Sequence, residues 1–344
     1  MYIRSAAGIS PQASFSQLLA EPAAYSSNRL TCIEPDYSKI LDPKLIRRMS
    51  HIIKMGVAAA IECLKEAGMQ DPDAIIAGTA YGCLADTESF LTKLVENREE
   101  MLTPTAFIQS THNTVAAQIA LMIKCHNYNN TFVHRGFSFE NALLDAISLI
   151  NDNEASTVLV GGVDEITNAS HDILSRFGLY KREPVSSLDI FNATSKGTID
   201  GEGAAFFLLS KLASGGDYAK LDAVYTFYKP SGVDEVKTNI EYFLSSQAIK
   251  MNDVDLVIEG RNGDVRNDSV FEQLNQSIFA GKHKIDYKHF CGEYPTSSSF
   301  ALWLAANILK TGKIPSLALQ NPKKILFYNH YQNIHHSLYL LSAC

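Results

Sequence analysis

No run of about 18 apolar residues occurs in this 344-residue chain, so no membrane-spanning helix is expected. The opening stretch, residues 1–12, has one Arg and no unbroken apolar segment that could serve as a signal core, and the expected location is cytoplasmic. Basic residues are outnumbered: 30 Lys and Arg face 37 Asp and Glu, a net charge of −7, which argues against binding to a nucleic-acid backbone. Six cysteines are scattered without a CxxC pair, and the histidines are not clustered with them. Neither a disulfide framework nor a zinc site is therefore expected, and the cysteines read as buried free thiols. The segment Gly201-Glu202-Gly203 lacks the Lys-Ser/Thr ending of a phosphate loop and reads as a structural turn, so no cofactor is expected. No Pro-, Gly- or Ser-rich linker divides the chain. What is present, 46% hydrophobic and 19% charged residues, suits a large core built as two domains or as one duplicated body.

Helix and strand signals alternate. In residues 51–68, Ile53, Val57, Ile61 and Leu64 recur at helical spacing and Gly68 suits the position after a helix. Residues 73–82 then form a short apolar run closed by glycines, which predicts a buried strand. The second half repeats this order. Val236, Ile240, Phe243 and Leu244 predict a helix over 234–249, and residues 255–263 repeat the run from Asp73 with the same Asp-to-Gly spacing. A third pair is read between the helix from Thr111 and the helix from Thr296. Together these predict a duplicated α/β fold with sheets covered by helices on both faces, divided into halves 1–210 and 211–344 and packed as one body.

At the centre, residues 130–135 predict a strand, Gly136 a turn and Ser138 the N-cap of a helix, followed by a strand at 157–160 closed by Gly161 and Gly162. A strand-turn-helix elbow of this kind is where α/β enzymes often mount a nucleophile.

With these features the chain resembles the β-ketoacyl synthases of the thiolase superfamily. Four segments carry the resemblance: residues 104–118; Val160-Gly161-Gly162-Val163-Asp164-Glu165; Asp200-Gly201-Glu202-Gly203-Ala204-Ala205 with the apolar run after it; and Lys288-x-x-x-Gly292 before the helix from Thr296. The resemblance implies a thiolase fold, a dimer, and chemistry that needs a Cys to take the acyl group and two His to stabilise a thioester enolate. This sequence keeps none of the three. The register places Gly136 at the Cys position, Arg261 at the first His position and Glu293 at the second. A glycine has no side chain to acylate, and neither a guanidinium nor a carboxylate does the work of a neutral imidazole. The family's Gly-rich C-terminal loop is replaced by residues 328–337, and His335 and His336 fall in a loop-like stretch without a further metal ligand at the right spacing.

The resemblance therefore points to a non-catalytic homologue like the chain-length factors, which pair with an active ketosynthase in polyketide, aryl polyene or fatty acid synthesis. Its expected partners are that ketosynthase or a second copy of itself, and an acyl carrier protein. The dimer interface is expected to include residues 130–135 and 104–118, with Phe107 and Ile108 lining the acyl pocket beside Ser138 and Lys288. Arg261 and Glu293 are expected to face each other. Two other readings stay open: an acyl-transfer or condensing enzyme with an unorthodox nucleophile, such as Ser138 paired with His134, and a homodimeric module that binds acyl groups or a carrier protein. Cys125 lies eleven residues before the elbow and reads as a core or loop thiol.

Overall fold

The computed structural model describes residues 1–192 and 194–344. Ten strands form the main sheet: β1 Tyr2–Ile9, β2 Ala74–Gly78, β3 Tyr128–Phe132, β4 Thr157–Asp164, β5 Gly203–Ser210, β6 Ala219–Tyr228, β7 Leu256–Glu259, β8 His283–Asp286, β9 Lys324–Tyr331 and β10 His335–Ser342. Their spatial order is β8-β7-β9-β10-β6-β1-β5-β4-β2-β3. Read outward from the central β6–β1 junction, both halves follow one scheme. The first two neighbour pairs in each half are antiparallel and the outer two are parallel. The junction itself pairs only Tyr2 with Lys220 and Ile3 with Ala219.

Eight helices matter for the site: α1 His51–Ala67, α2 Leu84–Glu96, α3 Pro104–Gln109, α4 Thr114–Ile123, α5 Ser138–Asn151, α6 Val233–Ser246, α7 Val265–Asn275 and α8 Ser298–Thr311. Helix α1 ends as the sequence predicts, with Gly68 in the left-handed region at φ 63°. It precedes β2 as α6 precedes β7, which bears out two of the three repeated pairs. The third is corrected: α4 lies between β2 and β3, whereas α8 lies between β8 and β9, so the counterpart of α8 is α5. Both α4 and α8 are buried and start near a Thr, and local pattern alone does not distinguish equivalent helices from merely similar ones.

Three apolar layers hold the body together. One joins α1 and α4 to the first half through residues such as Val57, Ile119, Leu159 and Phe206. A central layer takes Phe139 and Leu143 from α5, Phe300 and Leu304 from α8, and strand residues of both halves, including Ile76, Phe207, Ile258 and Phe327. The third packs α6 and α7 on the second half through Phe243, Phe271, Val257 and Leu338. Each such fully buried side chain contributes about 1.5–3 kcal/mol by removal from water, which fixes α5 and α8 between the halves where their N-termini meet.

Local expectations shift at three places. The strand predicted over 130–135 ends at Phe132, because Arg135 turns left-handed at φ 48° and starts a tight turn. Strand β4 runs through Gly161 and Gly162 instead of stopping there, because its pairing with β5 continues to Asp164 opposite Gly203; Gly161 leaves room for the ring of Phe206, from which a Cβ would lie 2.3 Å. His335 and His336 sit on β10, in the hairpin that replaces the expected loop. Among the described residues no helix is long and apolar enough to cross a membrane.

Candidate functional site

The elbow is tied by its own backbone. The Ser138 hydroxyl donates to the Arg135 carbonyl at 2.8 Å and accepts the His134 N–H at 2.8 Å. The N-cap position falls on Phe137, so Ser138 is the first helical residue rather than the cap. The His134 ring contacts the Asn141 amide at 3.1 Å. Ser138 is fully buried and its hydroxyl closes the turn, so it is not hydrogen-bonded to the His134 imidazole.

Gly136 lies at the tip of this turn. A Cβ there would stand 2.6 Å from the Tyr331 Cβ and 3.0 Å from its ring, well inside van der Waals contact. Tyr331, the last residue of β9 and 5% exposed, fills the volume that a side chain on residue 136 would need. In front of the elbow lies a cavity of about 850 Å³ lined in part by Tyr81, Arg135, Leu174, Leu179, Tyr331 and His335.

Behind Tyr331 the second half contributes a buried polar group. The Lys288 Nζ and the Asn262 Nδ2 each donate to one oxygen of Glu293 at 2.7 Å, and Lys288 also donates to the His330 carbonyl at 3.3 Å. The backbone of Glu293 bridges the halves: its N–H donates to the Ile199 carbonyl, and its carbonyl accepts the Gly201 N–H. Asp164, at the end of β4, reaches the same place from the first half. One of its oxygens accepts from Thr79 and Ala80, the other from the backbone and hydroxyl of Thr296. Burial raises the Asp164 carboxyl, and these donors oppose that shift.

The expected Arg261–Glu293 pair is not formed. Arg261 turns to Asp286 at 3.7 Å and Asp268 at 3.9 Å, with its guanidinium over the Phe191 ring, while the partners of Glu293 are Lys288 and Asn262. Asn262, one residue further on, is the side chain presented to Glu293. Its signal was in the sequence, since Asn262-Gly263 keeps the residue-then-glycine step of the family's His-Gly. Tyr331 had no such signal: its meeting with Gly136, 195 residues away along the chain, is a tertiary contact.

Phe107 and Ile108 lie outside the elbow cavity. Both are more than half exposed on α3, Phe107 against Phe90 and Ile108 beside an apolar groove with Leu45, Met49, Ile53 and Leu121. Cys125 is buried at the Pro72 carbonyl after α4. His336 stacks on Phe227 and meets the Tyr328 hydroxyl at 3.0 Å. A buried His171–Asp200 contact of 2.8 Å, with His171 stacked on Tyr180, was not anticipated.

The family model described as "Beta-ketoacyl synthase, N-terminal domain" matches residues 10–214, more than half of the chain. This chain belongs to the β-ketoacyl synthase family. Among curated proteins it is 26% identical over 242 residues to probable polyketide synthase 31 of Dictyostelium discoideum, covering 69% of this chain and 8% of that protein. It is 22% identical over 189 residues to 3-oxoacyl-[acyl-carrier-protein] synthase 2 of Synechocystis sp., covering 52% of this chain and 45% of that protein. The chain thus matches less than half the length of either relative. Among solved structures, the ishigamide ketosynthase/chain length factor superposes with a TM-score of 0.83 at 14% identity, covering 100% of this chain and 98% of that one. The ketosynthase-carrier protein complex AntDE:AntF superposes with a TM-score of 0.77 at 15% identity, covering 100% and 99%. These likenesses establish the thiolase-like ketosynthase fold.

Proposed function

We propose that this chain is a non-catalytic ketosynthase homologue, a chain-length-factor-like partner of an active ketosynthase in polyketide, aryl polyene or fatty acid synthesis, working in the cytoplasm. The observation that carries this reading is the filled elbow: Gly136 offers no nucleophile, and Tyr331 occupies the space one would need. The remaining polar groups fit a structural role. Glu293 is bound by Lys288 and Asn262, so the two positions that would meet an enolate hold an acceptor anion and an amide already engaged with it. We assign the first His position to Asn262 in place of Arg261. Ser138 as nucleophile is disfavoured because its hydroxyl closes the turn.

The partner surface in this reading is the free edge of β3. It is an outermost strand of the sheet, and an unpaired edge of uncharged residues invites pairing with another chain. Nearby helices offer the exposed apolar side chains Phe107, Ile108 and Leu121. In the dimer these side chains meet the partner's acyl channel and set its depth, and an acyl carrier protein delivers the chain. The halves 1–210 and 211–344 act as one body.

The test is reconstitution. Mixed with a ketosynthase of the same source, this chain should form a 1:1 complex, and the ketosynthase should extend acyl chains to a defined length only in its presence. A stable homodimer that ignores the ketosynthase would instead support the acyl- or carrier-binding module.

A further inference from the structure

A second polar cluster lies at the opposite edge of the sheet, away from the elbow. Strands β7 and β8 run parallel with Glu259 and Asp286 in register, so the two carboxylates stand side by side on neighbouring strands. Asp268, in the first turn of α7, approaches from a third element. Glu259 and Asp268 are buried, and Asp286 is four-fifths buried at its side chain. Arg261 lies 3.7 Å from Asp286 and 3.9 Å from Asp268, and its charge also acts on Glu259. Lys284, on β8, is a second cation acting on both Glu259 and Asp286, while Lys288, which faces Asp268, is already bound to Glu293.

The cluster is under-satisfied when every acid is charged. One oxygen of Glu259 accepts from Asn275 at 3.0 Å, yet its other oxygen, Oδ1 of Asp286 and Nε of Arg261 have no hydrogen-bond partner among the described residues. Three carboxylates facing two cations, Arg261 and Lys284, leave one negative charge in a poorly hydrated place, and one bound proton removes it. The same cluster holds the site loop, because the Asp268 carboxylate accepts the backbone N–H groups of Asn262 and Gly263, each at 2.9 Å.

We propose that Glu259, Arg261, Asp268 and Asp286 form a proton-controlled latch that fastens the edge strand β8 and the loop carrying Asn262. With the proton bound, the latch is closed; without it, repulsion between Glu259 and Asp286 loosens the β7–β8 edge and the Asn262 loop. Burial, followed by the neighbouring Glu259 and Asp268, pushes the Asp286 carboxyl from 3.8 up to about 8 against the pull of Arg261 and Lys284. Burial raises Glu259 and Asp268 as well. The sign follows from the raised value. The closed state keeps a proton that an opened, hydrated carboxyl releases above 3.8, so closure is strongest at low pH, weakens as pH rises, and levels off above about 8.

Amide hydrogen exchange, corrected for the intrinsic pH dependence, tests this in the intact chain between pH 6 and 9. One linked proton changes an opening equilibrium by up to about tenfold per pH unit. The amides of 257–259, 262–263 and 283–286 should therefore open at least about tenfold more at pH 8 than at pH 6, and level off above that. The amides of β3, at the other edge, should show no such rise, and Asp286→Asn should abolish it at the latch. An equal rise in β3, or an unchanged rise in Asp286→Asn, overturns the proposal. Should Asp286→Asn fail to fold, Glu259→Gln serves: it removes the like charge beside Asp286, and the levelling must move to lower pH. A levelling point that stays put is equally fatal.

Discussion

The repeat makes β3 and β8 equivalent: each is the outermost strand of its half, and each is followed by a loop that reaches the site. They have diverged in opposite directions. Strand β3 reads Tyr-Asn-Asn-Thr-Phe, without charge, and its loop has been stripped to Gly136 with Tyr331 packed into the gap. Strand β8 reads His-Lys-Ile-Asp, and the segment after it carries the buried Lys288–Glu293 pair. Charge on an edge strand discourages pairing with a second chain, whereas an uncharged edge permits it. The contrast teaches that equivalent positions of the two halves can be occupied in different ways, one by an aromatic side chain packed against a glycine and the other by a buried ion pair, and the proposed function puts the partner on the uncharged side.

The largest effect should come from the ionic side. Glu293→Ala strands the Lys288 ammonium, whose side chain is 1% exposed, and should cost about 3–5 kcal/mol in chemical denaturation. The double change Lys288→Met with Glu293→Leu should cost clearly less, since neither charge is left alone. If the double variant is as unstable as the single, the pair is not what matters there.

Next is a pH effect on the hairpin between β9 and β10. Burial pushes His336 down from 6.5 to about 4, so the folded chain holds fewer protons than the unfolded one between those values. Stability is present above pH 6.5 and is lost as pH falls towards 4, by about 3 kcal/mol at the full shift. Melting curves of His336→Phe should be flatter than those of the unchanged chain across that window. Identical slopes would mean that His336 is hydrated.

On the filled side, Gly136→Cys should cost about 1–3 kcal/mol by overpacking against Tyr331 and should not create a synthase. Tyr331→Gly alone should cost more, because it empties a buried aromatic site, but the double variant should lose less than the sum of the two single losses; a fully additive double variant would show that the two residues do not share the space. The smallest effect on the monomer belongs to Ile108→Lys on exposed α3, within about 0.5 kcal/mol. That change should nevertheless weaken association with the partner, and unaltered association would move the interface elsewhere.

These effects also mark how far the sequence could be read. The caps, the apolar runs and the repeated helix-strand order are local signals, and they give α1, β2, α6 and β7 close to their observed bounds. The family motifs place the elbow correctly because a strand-turn-helix is also local. Partners across the chain are another matter. Arg261 and Asn262 are neighbours, and a one-residue turn of the backbone decides which of them meets Glu293. Tyr331 reads only as part of a loop without glycines, and its position against Gly136 follows from how the halves pack. His335 and His336 looked like loop residues because they are polar, yet the hairpin buries them among aromatic rings.

The most direct test of the central claim is intact-mass analysis after the purified chain is incubated with a labelled acyl thioester, alone and together with a ketosynthase partner. The filled elbow predicts an unchanged mass for this chain in both mixtures, with the acyl group appearing on the ketosynthase alone. An acyl adduct on this chain that disappears with Ser138→Ala would contradict it.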